Sequence, residues 1–391
     1  MKLLYITSRI PWPLEKGDKL RAFHQLRSLS ERYEVHLVSL HDSPVHPDAE
    51  KELKKYCREI LFIPLPKSAV FFNLLRGFFS PLPMQVAYFN SPRAHREIGA
   101  FIEKHRPDRI FCQLIRTTEF VRSRKDIPKI LDYMDVFSKG IERRIGKVNF
   151  LSRPVFRMEH RRLLKYEREI FSDFEERIII SAQDRDLVDH PEKNKIRVIA
   201  NGVDTGFFRP LPAEKKHELL FNGNMNYPPN VESAEYLVTQ VLPLVHQKNP
   251  GVRVLISGAS PSPRILALKS ASVTVSGWVD DVRDSFTSSR ILVAPMQSSI
   301  GLQNKLLEAM AMRMPCITTT LSNNALGAVS GEQILVADSP QTFADQILFL
   351  LANPGEAEKI AEAGHRFIME NFNWKKQNLQ LAEIIGNAGK K

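Results

Sequence analysis

Short apolar runs alternate along the chain with stretches of helical spacing, and the whole alternation occurs twice. The first set predicts strands over residues 2–7, 34–40, 59–64, 109–113, 129–132 and 177–181. A helix over 18–30 follows the first strand, with Leu20, Phe23, Leu26 and Leu29 near helical spacing. The pattern then restarts. Strands are predicted over 218–222, 252–257, 272–276, 290–294, 315–319 and 333–337, with helices over 231–246, 302–313 and 342–351 among them. The strands read as near-continuous apolar runs, as expected of a parallel sheet covered by helices on both faces.

The join falls at 201–214, NGVDTGFFRPLPAE, where glycine, proline and turn formers cluster. The expectation is an α/β chain of two Rossmann-like, doubly wound domains facing across a cleft. Residues 1–200 form the first domain and 201–370 the second, and 371–391 form a closing helix. A length of 391 residues agrees with two cores rather than one. In such sheets ligands lie beyond the carboxyl ends of the strands.

The formal net charge is +11, which favours anionic partners. The excess is uneven: residues 139–169 hold ten Lys/Arg against four Glu, a local +6. A solvated helix face and an anionic membrane surface both explain it. Nucleic acid is set aside, because no helix-turn-helix, zinc-finger or RNA-recognition pattern accompanies the charge. Three distant cysteines, Cys57, Cys112 and Cys316, lack metal-ligand spacing and suit a reducing compartment. The apolar start is too short for a signal peptide, and no run reaches a membrane span. The chain reads as cytoplasmic, with peripheral contact at the inner membrane face an added expectation. That contact rests on the basic stretch and on 70–83, where Phe71, Phe72, Phe78 and Phe79 flank Arg76, a segment that also reads as a core helix.

The segment 298–315, SSIGLQNKLLEAMAMRMP, carries the candidate chemistry. On a helix over 302–313, Leu302, Leu306, Ala309 and Met310 form the buried stripe. Gly301, Lys305 and Glu308 form a second row at i, i+4 and i+7. Unpaired amides at Gly301, Leu302 and Gln303 would favour phosphate at a helix start. Glycine permits close approach, Lys305 adds a cation, and Glu308 could accept hydrogen bonds from a ribose. An exposed Lys–Glu pair of little consequence is the plainer reading of the same spacing.

GLQNKLLEAMAMRMPCITT resembles the donor-site signature of GT4-like glycosyltransferases, the glycosyl transferases group 1, which have the GT-B fold. NGVDTGFFRP, LLFNGNMNYPPNVES, SGWVDDVRDSF and FNWKKQNLQLAEII resemble further segments of that family in its order. KGDKLRAFHQLRSL resembles its N-terminal glycine loop. The chain is most similar to exopolysaccharide-associated sugar transferases, whose donor site also reads Gly-Leu-Gln-Asn-Lys. The resemblance implies transfer of a sugar from a nucleoside-diphosphate sugar to an acceptor hydroxyl, with retention and no essential metal or other cofactor. A saccharide or lipid-linked acceptor for cell-surface polysaccharide or glycolipid follows. It also implies substrate contacts at Gly17, Arg21, Asn201, Gly223, Asn224 and Val279. Two departures stand out. Ile300 occupies the place of a sugar-contacting Glu, and Asn224, Asn226 and Tyr227 stand where Arg and Lys commonly hold the diphosphate.

Asp135, just after the fifth strand, reads as an acceptor-side base or sugar contact, with a capping carboxylate as the alternative. His24 reads as a packing residue of the first helix. Asp184 and Asp186 form an Asp-x-Asp but sit where a helix's first turn favours acids. Asp280 and Asp281 read as a solvated turn. Other functions remain open at this stage: a nucleotide-sugar epimerase or hydrolase on the same fold, or a non-catalytic ligand-binding protein.

Overall fold

The computed structural model describes residues 1–146, 148–298 and 301–389. Two compact units are present. One comprises residues 1–200 with 375–391, the other residues 201–374.

Among the described residues, the first unit has a seven-stranded parallel sheet. Its strands are β1 (Lys2–Thr7), β2 (Glu34–His41), β3 (Glu59–Pro64), β4 (Arg109–Gln113), β5 (Lys129–Asp132), β6 (Glu176–Ile179) and β7 (Arg197–Val198). They lie in the order β3-β2-β1-β4-β5-β6-β7, so strand order reverses between β1 and β4. In β1, Leu3 and Tyr5 enter one apolar cluster while Leu4 and Ile6 enter the other. The period-two alternation thus feeds two cores, which explains why the strand is apolar throughout. The helix Gly17–Leu29 covers one face with Ala22, Phe23, Leu26 and Leu29. The final helix, Trp374–Asn387, joins the same core through Leu381, Ala382, Ile384 and Ile385. Tyr33 Oη donates to the Ala382 carbonyl at 2.6 Å, and Asn378 Nδ2 donates to the His24 carbonyl at 2.9 Å.

The second unit repeats the plan with a six-stranded sheet. Its strands are β8 (His217–Asn222), β9 (Val254–Ser257), β10 (Val273–Gly277), β11 (Ser289–Ala294), β12 (Cys316–Thr318) and β13 (Leu335–Val336). The order is β10-β9-β8-β11-β12-β13, so the reversal falls between β8 and β11. Just past the strand ends the backbone is pinched. Gly223 has φ +149° and Gly258 φ +138°. A Cβ on Gly258 would lie 1.8 Å from the Gly223 carbonyl oxygen, so only glycine fits there.

The elements differ from the sequence pattern in three places. The stretch read as one helix over 231–246 begins earlier and is interrupted: Pro228–Tyr236, a π-helical turn Leu237–Val241, then Leu242–Lys248. Pro243 lacks an amide hydrogen and its ring crowds the preceding turn, which accounts for the wider turn before it. The short strand β7 is too brief to give a periodic signal. The helix read over 302–313 is Asn304–Ala311, with consequences for the site.

Candidate functional site

The site of the second unit lies beyond the ends of β8 and β11, where its strand order reverses. Gly301 has φ +88°. Gln303 is still extended, at φ −88° and ψ 108°, and its Nε2 donates to the Gly301 carbonyl at 3.2 Å. Helical bonding therefore starts at Asn304, with the Leu306 amide on the Gln303 carbonyl at 3.0 Å. This corrects the helix row: Gly301 and Leu302 precede the helix, and the unpaired helix-start amides are those of Asn304 and Lys305. Leu306, Ala309 and Met310 are fully buried, whereas Leu302 is half-buried. Ile300 lies outside the described residues.

Lys305 is buried, not the exposed partner of a surface pair. Its Nζ donates to Asn230 Oδ1 at 2.8 Å, sits 3.7 Å from Met296 Sδ and lies 4.3 Å from the centre of the Phe221 ring. No carboxylate lies within ion-pair distance among the described residues. Burial pushes the amine down to about 7, with Glu308 acting weakly the other way. Half-buried Glu308 is pushed up by the same loss of water, offset by Lys305 and by a hydrogen bond from Asn222. The cost of desolvating a lone cation is lowered by the Phe221 ring face but not removed. Gly223 packs close beside it: an added Cβ would lie 2.7 Å from Asn230 Nδ2 and 3.3 Å from Lys305 Nζ, so a side chain there would crowd the amine. A buried amine and a half-buried carboxylate one turn on are chemically suited to an anion that carries hydroxyl groups.

Other residues of this unit take supporting places. Asn201 is buried, and its Nδ2 donates to Asn304 Oδ1 at 3.1 Å, which fixes the start of the lysine helix. Asn224 closes the turn after β8: its Oδ1 accepts from the Asn226 amide and its carbonyl from Asn230 Nδ2, both at 3.0 Å. Val279 is half-buried next to the exposed Trp278. Asp281 is held by Arg283, with Nη2 to Oδ2 at 2.6 Å. Phe221, Asn222 and Asn230 went unnoticed in the sequence. The unusual asparagines at a strand end and beside two prolines were the available signal.

In the first unit, Arg21 and Asp132 are both 0% exposed and pair through Nε at 2.6 Å. Arg21 is therefore an interior residue of this unit, without solvent access. Gly17 is exposed and opens the helix that carries Arg21. His24 is buried against Phe23. Asp135 reaches solvent but has protein on its other sides. Loss of water there, then the negative charges of Asp184 and Asp132, push its carboxyl upward, while Arg21 opposes them. Ser181 caps the helix Ala182–Leu187, its Oγ accepting the Asp184 amide at 3.0 Å, so Asp184 sits in the first turn. Asp186 pairs with Arg185 at 3.3 Å. Arg116, also unforeseen, stacks between Phe89 and Phe137 and donates to Gln85 Oε1 at 3.0 Å. Burial lowers its guanidinium to about 10.

The sequence matches two family models. One, described as Glycosyltransferase Family 4, covers residues 21–207, and the other, Glycosyl transferases group 1, covers residues 216–353. Together they take in most of both units. The chain is a GT4-like glycosyltransferase. This glycosyltransferase is 22% identical to a Klebsiella pneumoniae protein called an uncharacterized 44.6 kDa protein in the cps region. The similarity spans 96% of this chain and 97% of that protein. Solved structures show the same GT-B fold. Sucrose-phosphate synthase from Thermosynechococcus elongatus is similar at a TM-score of 0.73 and 16% identity, over 98% of each chain. Anabaena HepE in complex with UDP is similar at a TM-score of 0.69 and 13% identity, over 99% of this chain and 100% of that one. HepE has also been solved with UDP-glucose. The enzyme transfers sugars.

Proposed function

We propose that this glycosyltransferase takes its sugar from a nucleoside-diphosphate sugar bound around Gly301, Lys305 and Glu308, and passes it to an acceptor hydroxyl. The observation that carries the reading is the buried Lys305 amine, which has no carboxylate within ion-pair distance among the described residues. In the reaction the bond from the sugar's anomeric carbon to the diphosphate breaks and the acceptor oxygen bonds to the same carbon. The nucleoside diphosphate leaves, and Lys305 with the amides at the helix start stabilises its growing charge. A resident cation on the protein supports transfer without an essential metal, which predicts that activity persists in a chelator. Glu308 accepts hydrogen bonds from the ribose, and Asp135 contacts the acceptor or takes its proton. The family resemblance supports retention of the anomeric configuration. The cps-region relative supports a saccharide or lipid-linked acceptor in cell-surface polysaccharide assembly.

Calorimetry with UDP as the probe tests the donor site. In the free enzyme the Lys305 amine is largely neutral at pH 8, since its pKa is near 7. A bound diphosphate favours the charged amine, so binding takes up a proton and affinity falls as pH rises above 7, by up to about tenfold per unit. Binding heat at pH 8 should depend on the buffer's own ionisation heat, and Lys305→Met should abolish that dependence. A UDP affinity untouched by both Lys305→Met and Glu308→Ala would remove the assignment.

Glu308→Ala separates ribose from phosphate. Charge-assisted hydrogen bonds contribute about 1.5–3 kcal/mol each. UDP affinity should fall roughly tenfold to a hundredfold, while pyrophosphate affinity stays within about twofold. Equal losses for both ligands would show that Glu308 acts through Lys305 rather than on the ribose.

A further inference from the structure

The surface helix Lys67–Phe78 is turned the wrong way round for a globular protein. Its two buried residues are small or polar, and only Val70 packs partly against the core cluster from this helix. Asn73 is buried and its Nδ2 donates to the Tyr88 carbonyl at 3.1 Å. Gly77 packs so tightly that a Cβ there would lie 2.4 Å from Ala87 Cβ. Its outward residues are aromatic. Phe71, Phe72, Leu75, Phe78 and the following Phe79 fall at i, i+1, i+4, i+7 and i+8, one stripe on a helix. Their exposures run from 47% for Leu75 to 82% for Phe79. A core helix would show the opposite pattern. A contiguous apolar stripe of this kind marks a contact surface.

The stripe belongs to a rigid body with a cationic neighbour. In the helix Arg153–Glu169, Arg162 donates to the carbonyls of Gly77 at 3.0 Å and Phe78 at 2.9 Å. Glu159 accepts the amides of Met84 at 2.7 Å and Gln85 at 3.1 Å. In the first half of that helix Arg157 and Arg161 are exposed. With Pro154, Met158 and Arg162 they line an open recess of about 350 Å³. Arg76, Arg157 and Arg161 have no ion-pair partner among the described residues. Phe150 and Leu151, just before the helix, are 79% and 84% exposed.

We infer that this face docks on an anionic lipid bilayer. The phenylalanines enter the boundary between headgroups and acyl chains, and the arginines meet lipid phosphates. Charge complementarity selects this occupant over a second copy of the chain. Two copies meeting about a two-fold axis would set the same unpaired cations against themselves. No helix among the described residues is long and apolar enough to cross a membrane, so the contact is one of lying on the surface. The inference does not depend on the donor assignment, because vesicle binding is read without any sugar nucleotide.

Flotation with vesicles of phosphatidylglycerol and phosphatidylethanolamine, set against pure phosphatidylcholine, tests it. The wild-type chain should float with the anionic vesicles and much less with the neutral ones. Replacing Phe71, Phe72, Phe78 and Phe79 together by Ser should lower the bound fraction about tenfold or more. Arg157→Glu with Arg161→Glu should lower it as well, and the wild-type signal should weaken in high salt. Circular dichroism and UDP affinity should stay at wild-type values in both variants, since all six side chains point outward. Wild-type chain that stays at the bottom of the gradient, or a phenylalanine variant that floats as well as wild type, overturns the inference. So does a wild-type dimer that becomes monomeric in that variant without either floating, which would assign the stripe to self-association.

Discussion

Replacing Lys305 by methionine should lower kcat/KM for sugar transfer by about 10²–10³, the range seen when a single preorganised stabiliser of developing charge is removed. The fold should not suffer. Lys305 costs stability because its amine is buried with no carboxylate in ion-pair contact among the described residues. Methionine keeps most of the side-chain volume and needs no water. Thermal unfolding of Lys305→Met should therefore occur at or above the wild-type temperature while transfer collapses. That opposition distinguishes a functional cation from a structural one, since a residue kept for packing would lose stability and activity together. Lys305→Ala should show the same loss of transfer but a lower melting temperature, because it leaves a cavity beside Phe221 and Met296. A methionine variant that keeps wild-type kcat/KM would show that Lys305 does not meet the leaving group.

Asp132→Ala should destabilise the first unit by roughly 3–5 kcal/mol, the usual cost of leaving one member of a buried ion pair alone. Arg21 is among the largest fully buried side chains of the protein. Asp132 also accepts the Met134 amide at 3.1 Å, so the turn that carries Asp135 would loosen with it. Asp132→Asn keeps the shape and part of the hydrogen bonding, and should cost less. The double replacement Arg21→Leu with Asp132→Leu should recover part of the loss, because no lone charge remains. Urea unfolding read on the first unit's transition would measure all four proteins. A change below about 1 kcal/mol in Asp132→Ala would mean that water reaches Arg21 and pays for its charge.

Strands were legible because each carries its own signal within a few residues. Lys2–Thr7, Glu59–Pro64, Arg109–Gln113 and Lys129–Asp132 coincide with their apolar runs, and most others differ by a residue or two. The two-residue β7 was not, because Arg197–Val198 holds a single apolar residue, whereas the equally short β13 lies within the apolar run of residues 334–337. The composition of the donor segment was legible, but its geometry was not. Nothing local in GLQNK says that Gly301 takes a positive φ and delays the helix to Asn304. Asn201, over a hundred residues away, is what holds Asn304. The pairing of Arg21 with Asp132 spans 111 residues, so the sequence showed a charged helix position and not its burial. The Phe71–Phe79 cluster was visible as composition. Its direction was decided by Asn73 and Gly77, whose partners Tyr88 and Ala87 come later in the chain.

The C-terminal helix has a consequence for how this protein is made. Leu381, Ile384 and Ile385 complete a core to which β1, β2, β4, β5, β6 and the helix Gly17–Leu29 also contribute. As the chain leaves the ribosome, those early elements wait for residues 201–374 to be synthesised before their last wall arrives. At ~5–20 residues per second the wait is tens of seconds or somewhat less. The second unit meanwhile has every strand it needs. The second unit is thus free to fold before the first, whose apolar face needs shelter until the helix Trp374–Asn387 has been made.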